Sequence, residues 1–108
     1  MPLGAPIPAD EAVTDQSIRF YSERVRLDPR DSRSQNTLSE YYLQRVRETG
    51  NEDYLPMAVS AARASLAAVS AARNLGGLTT LAHAEFSNHA FASARARARV
   101  SSARSEQE

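Results

Sequence analysis

Apolar and small side chains recur at steps of three and four along most of the chain, the spacing that places them on one face of a helix. Over residues 10–27 the series is Val13 or Ser17, Ile18, Tyr21 and Val25. Over 31–49 it is Leu38, Tyr41 or Tyr42, and Val46, with Arg45, Arg47 and Glu48 on the wet side. Residues 78–101 carry Leu78, Leu81, Ala82, Phe91, Ala94, Ala98 and Ser101. Leu81 and Ala82 set a large beside a small side chain. Ala94, Ala98 and Ser101 form a run of small ones, as two closely packed antiparallel helices need.

Turn and cap chemistry divides this pattern into five helices. Asp10 is an N-cap, and Asp28-Pro29 stops the first helix, because the residue before a proline is pushed out of the helical region. Asp31 or Ser32 caps the second, which closes at Gly50. Residues 50–53 turn the chain, and Leu55-Pro56 opens a third helix, since proline is tolerated in a first turn. Asn74-Leu75-Gly76-Gly77 reads as a C-cap and connection, and Ser87-Asn88-His89 as a polar break where the chain reverses. Residues 1–9, with three of the five prolines, read as an extended arm, and 102–108 as a polar tail that frays. The expectation is an all-α domain over 10–101.

Several segments resemble tetratricopeptide repeats (TPR). Leu38, Ser39 and Tyr42 stand at the leucine, small-residue and tyrosine positions of that family's first helix, with Gln35 at its usual aromatic. Ala58, Ala62, Ser65 and Leu66 follow the second-helix pattern, with Ala62 in an aromatic place. Leu78, Leu81 and Ala82, then Phe91 and Ala94, repeat the pattern, while Glu85 replaces the tyrosine, Ala98 the phenylalanine, and no proline closes the repeat. Ser17-Ile18, Tyr21, Val25 and Pro29 match a second helix alone. Tyr42 to Ala58 is sixteen residues, about seven more than the family spacing. Shared between two helices, that is about one added turn on each at ~3.6 residues per turn, which keeps the packed faces in register. The resemblance implies a right-handed superhelical stack of antiparallel helix hairpins: a half repeat (10–27), a long repeat (31–73) and a second repeat (77–101). A plain antiparallel bundle with the same helices is the alternative.

Composition narrows the function. The 108 residues suit one domain, with 13 basic and 13 acidic side chains, so no overall charge draws the chain to nucleic acid or an anionic membrane. All 13 basic residues are Arg, a usage that reflects a GC-rich genome rather than chemistry. With no Cys, disulfides, thiolate metal sites and thiol nucleophiles are excluded. No segment is apolar for long enough to cross a bilayer. MPLGAPIPAD lacks the basic start and apolar run of a signal peptide, so the chain is expected in the cytoplasm, although that start equally suits a mature chain whose leader was removed.

Candidate chemistry is thin. His83, Glu85 and His89 invite a metal reading, but the two histidines are six apart and fall on different faces of a helix, so a groove His and a turn His are expected instead. Arg95, Arg97 and Arg99 look like a basic run, yet alternate residues diverge by about 200° on a helix and no aromatics stand nearby to stack bases, so they read as a solvated face. No G-x-S-x-G accompanies the histidines, and Gly76-Gly77 follows no strand, so neither a hydrolase nor a phosphate loop is expected, and no cofactor.

What remains is binding. The resemblance implies a non-catalytic protein–protein interaction module whose concave groove takes a peptide or partner helix. Arg33, Asn36, Glu40, Leu43 and Gln44 would line it from one helix and Thr79, His83 and Phe86 from the next. A chain without Lys offers only Arg33 and Asn36 toward the family's carboxylate clamp, and that specificity is not assigned. The alternative is structural self-association into a homodimer or higher oligomer through end faces left uncovered at Ile18 and Tyr21 and at Phe91, Ala98 and Val100. A third expectation is a piece of a longer array, whose next repeat covers that end.

Overall fold

Residues 9–107 are described by a computed structural model, and the proline-rich stretch 1–8 lies outside them. Among the described residues the chain is all-helical, with four α-helices and one short 3₁₀ turn. Helix α1 (Ala9–Leu27) ends where the Asp28-Pro29 pair stops it, and the Asp28 carboxylate accepts a bond from the Arg30 N–H at 3.1 Å to shape the turn. Asp31 then caps α2 (Ser32–Thr49), accepting from the Ser34 N–H at 3.1 Å. Gly50 closes α2 at a φ of 73°, where its N–H donates to the Val46 carbonyl at 2.7 Å. That left-handed backbone is why glycine serves here. Helix α3 (Tyr54–Ala68) holds Pro56 in its first turn.

The second half departs from the five-helix expectation. Helix α3 ends at Ala68 rather than Arg73, because Val69 is extended and residues Ala71–Arg73 form a separate 3₁₀ turn. Asn74 closes the 3₁₀ turn, its N–H donating to the Ala71 carbonyl at 3.2 Å, and also opens the next helix. Its side-chain oxygen accepts from the Gly77 N–H at 2.9 Å, the N-cap bond of α4 (Leu75–Gln107). Gly76 and Gly77 therefore lie in a first turn, not in a loop. Helix α4 then runs 33 residues without interruption, about 50 Å at ~1.5 Å per residue. Ser87-Asn88-His89 is helical throughout, so the expected reversal does not occur. Polar side chains alone do not stop a helix: Asn88 and His89 are simply exposed to water, and neither Gly nor Pro stands there. The tail 102–107 continues the same helix.

Helix α2 is the centre, touching each of the other three. Thr14 donates to Glu48 at 2.9 Å while Arg24 donates to Ser34 at 3.2 Å, so residue numbers run in opposite senses and α1 lies antiparallel to α2. The same holds for α3: Ser65 Oγ donates to the Ser32 carbonyl at 3.1 Å and Ser39 Oγ to the Ala58 carbonyl at 2.6 Å. Ser39, Ala58, Ala62 and Ser65 are buried, and their small side chains let α2 and α3 approach closely. Helix α4 runs beside α2 in the same direction, tied by Asn36 to Asn74 (3.2 Å) and Glu40 to His83 (3.1 Å). Leu38, Leu43, Val46, Leu55, Val59 and Ala84 form the core between these elements.

Asn74 holds the junction together. It is only 7% exposed, and its amide nitrogen lies within 2.8 to 3.2 Å of the Ser65 hydroxyl and the Ser65 and Val69 carbonyls. Its oxygen serves the Gly77 N–H and the Asn36 amide. A Cβ on Gly77 would stand 2.6 Å from the Asn74 nitrogen, so glycine is needed for this approach.

Candidate functional site

At 100° per residue, α2 commits three of its sides to neighbours. Ser34, Tyr41, Arg45 and Glu48 face α1; Ser39, Tyr42 and Val46 face α3; Asn36 and Glu40 reach α4. The remaining side carries Arg33, Thr37, Gln44 and Arg47. Thr37, Glu40, Tyr41, Gln44 and Arg47 line a shallow recess of about 380 Å³. Two cross-helix contacts frame it. Tyr41 stacks on Tyr21 of α1, with ring centroids 6.0 Å apart, and Glu40 bonds to His83 Nδ1 of α4.

The recess is a polar surface with Arg47 in its lining, and Arg33 lies further along the same side of α2. Among the described residues neither Arg33 nor Arg47 has an ion-pair partner, and fourteen residues of helix, about 21 Å, separate them. Thr37 donates its hydroxyl to the Arg33 carbonyl at 2.9 Å, and Gln44 donates to Glu48 at 3.1 Å, which leaves the Gln44 oxygen as an acceptor toward the recess. Such a surface can accept hydrogen bonds, donate from guanidinium groups and stack a flat group on Tyr41.

The structure gathers only part of the expected groove. Glu40 and Gln44 line the recess, His83 bonds to Glu40 at its edge, and Arg33 lies at one end of the α2 face. Leu43 does not: it is 3% exposed and belongs to the core, because it points between α3 and α4. Asn36 is half-buried and committed to Asn74. Thr79 and Phe86 are exposed on α4, and of the three α4 residues only His83 bonds across to α2. Thr37, Tyr41 and Arg47 were missed, although the series 33, 37, 40, 44, 47 keeps the same three- and four-residue steps as any helical face.

The end faces are also rearranged. Ile18 and Tyr21 are not uncovered; they pack against the core beside α2, and the exposed apolar side chains of α1 are Val13, Phe20 and Leu27. Phe91 packs at the core edge, while Ala98 and Val100 are exposed on the part of α4 beyond it. Glu85 pairs with Arg63 at 3.2 Å, Arg95 pairs with Glu52, and Arg97 and Arg99 are exposed. Among the described residues no His, Cys, Asp and Glu cluster could hold a metal ion, and no helix is long and apolar enough to cross a membrane.

Comparison with protein-family models, with curated proteins and with solved structures finds no match to this chain.

Proposed function

We propose that the chain is a non-catalytic protein–protein interaction module of TPR-like build, which holds a peptide or partner helix in the recess on α2. In this reading α2 and α4 are the first helices of successive units of a right-handed superhelical stack, side by side and in the same direction, while α1 and α3 are the antiparallel second helices behind them. The observation that carries the reading is that one side of the central helix stays polar and reachable, framed by the Tyr21–Tyr41 stack and the Glu40–His83 bond, although its other sides are all occupied.

The test is a peptide-display selection on the wild-type chain, followed by binding measured by fluorescence anisotropy. Replacing Gln44 and Arg47 together by Ala removes two recess contacts without touching the core. Binding should weaken at least tenfold, about 1.4 kcal/mol, whereas Arg97→Ala should leave it unchanged. Glu40→Ala and His83→Ala, made separately, test the shares of α2 and α4. Selected peptides that bind the Gln44/Arg47 variant as tightly as wild type would overturn the assignment.

A further inference from the structure

Helix α4 has a second apolar face that nothing among the described residues covers. Its inner face packs Ala84 and Phe91 on the bundle, and His83 turns toward Glu40. The outer face carries Leu78 at 43% exposure and Phe86 at 75% in the first half, then Ala92, Ala96 and Val100, the last at 60%, in the second. These residues, with Ala82 and His89, keep three- and four-residue steps over more than six turns. Large side chains are concentrated in the first half and small ones in the second.

We propose that this face is the site where a second copy of the same chain docks, with the two α4 helices antiparallel and crossing at His89. That crossing sets Phe86 of one copy opposite Ala92 of the other, Ala82 opposite Ala96, and Leu78 opposite Val100. Each large residue of the first half then meets a smaller one, and the contact is self-complementary, as a two-fold interface requires. It reproduces between chains the large-against-small pairing that residues 78–101 show along the sequence, where the unbroken helix prevents it within one chain.

Charge selects the antiparallel arrangement. Residues 91–104 hold Arg95, Arg97, Arg99 and Arg104 and no acidic residue, whereas residues 75–90 hold Glu85 and no Arg. A parallel pair would set Arg97, Arg99 and Arg104 of one copy beside the same three of the other at an interhelix spacing of about 8–10 Å, while Arg95 stays paired with Glu52. The antiparallel pair moves the two basic segments roughly 30 Å apart at ~1.5 Å per residue, well beyond a Debye length of about 8 Å. The contact strip is about 33 Å long and roughly 10 Å wide, so each copy contributes roughly 330 Å² in projection, the size of a weak, reversible interface.

Sedimentation equilibrium over a wide concentration range should show the mass rising from 11.8 kDa toward twice that value, and Ala96→Arg should weaken the association at least tenfold with the circular dichroism unchanged. Because the chain has no Cys, orientation is read directly from cross-links. An oxidised mixture of Ala82→Cys and Ala96→Cys copies should form mixed disulfides, and neither variant should cross-link to itself. A monomer at every concentration would overturn the proposal. So would self-cross-linking of either variant, which marks a parallel pair. So too would an intrachain disulfide in the dilute Ala82→Cys/Ala96→Cys double variant, which would mean that the second half of α4 folds back on the first. None of these readings depends on the recess on α2, which lies on another side of the molecule.

Discussion

Replacing Asn74 should damage this protein far more than its place in a connection suggests. In Asn74→Ala the α4 N-cap is lost, at about 1 kcal/mol. The Ser65 and Val69 carbonyls and the Asn36 amide also lose a partner at a site that is only 7% exposed. With water reaching part of the gap, that adds about 1–2 kcal/mol. The sum, roughly 2–3 kcal/mol, is a large share of the ~5–15 kcal/mol that holds a domain and corresponds to a Tm lower by roughly 10–20 °C for a chain of this size. Urea unfolding followed by circular dichroism at 222 nm gives the value directly, provided the slope m is unchanged. Asn74→Asp separates the two contributions. It keeps an oxygen for the Gly77 N–H but turns a second oxygen toward the Ser65 and Val69 carbonyls, so it should cost at least as much as Ala. A loss under about 0.5 kcal/mol for Ala, the scale of an ordinary surface substitution, or near-wild-type stability for Asp, would refute the network.

Gly77→Ala tests the same junction by its sign. An exposed helical Gly→Ala change stabilises by up to about 1 kcal/mol, but here the new Cβ meets the Asn74 nitrogen at 2.6 Å, so thermal denaturation should show a net loss of about 1–3 kcal/mol. Asp31→Ala removes the α2 cap and should cost about 1 kcal/mol in urea unfolding. The Ser34 hydroxyl, then the Ser34 N–H and Arg24, hold the Asp31 carboxyl below its ordinary value of 3.8. A lowered folded-state pKa means that the stabilisation is fully present above that ordinary value and is lost as pH falls through the folded-state one. The difference in Tm between wild type and Asp31→Ala should therefore be constant at neutral pH and shrink below about pH 4.

The first half of the fold was legible because its signals are local. Asp28-Pro29, Asp31 and Gly50 each act on the backbone within a few residues, and each stands where the sequence places it. The second half depends on contacts across long stretches of chain. That Asn74 starts a helix as well as closing the 3₁₀ turn depends on Ser65 and Asn36, which lie nine and 38 residues away. The polar trio at 87–89 looks like a turn in sequence, but a break there needs something that stops the helix, and neighbouring Ala residues favour continuing it. The recess was half legible for a similar reason. Family positions pointed to Leu43, whereas the helical steps from Arg33 pass through Thr37, Glu40, Gln44 and Arg47, and those steps describe the exposed side of α2.

The uncovered outer face of α4 and the four-helix architecture both rest on α4 remaining one helix through Ser87-Asn88-His89. A single distance decides this. Spin labels on Thr79→Cys and Ser101→Cys, both at exposed positions of a chain with no other Cys, are separated by 22 residues of helix. Pulsed dipolar spectroscopy, with the labelled protein diluted in unlabelled chain so that only pairs within one copy count, should give a narrow distribution near 33 Å, at ~1.5 Å per residue. A distribution centred near 10 Å, the spacing of two packed helices, would show the hairpin instead and contradict the account.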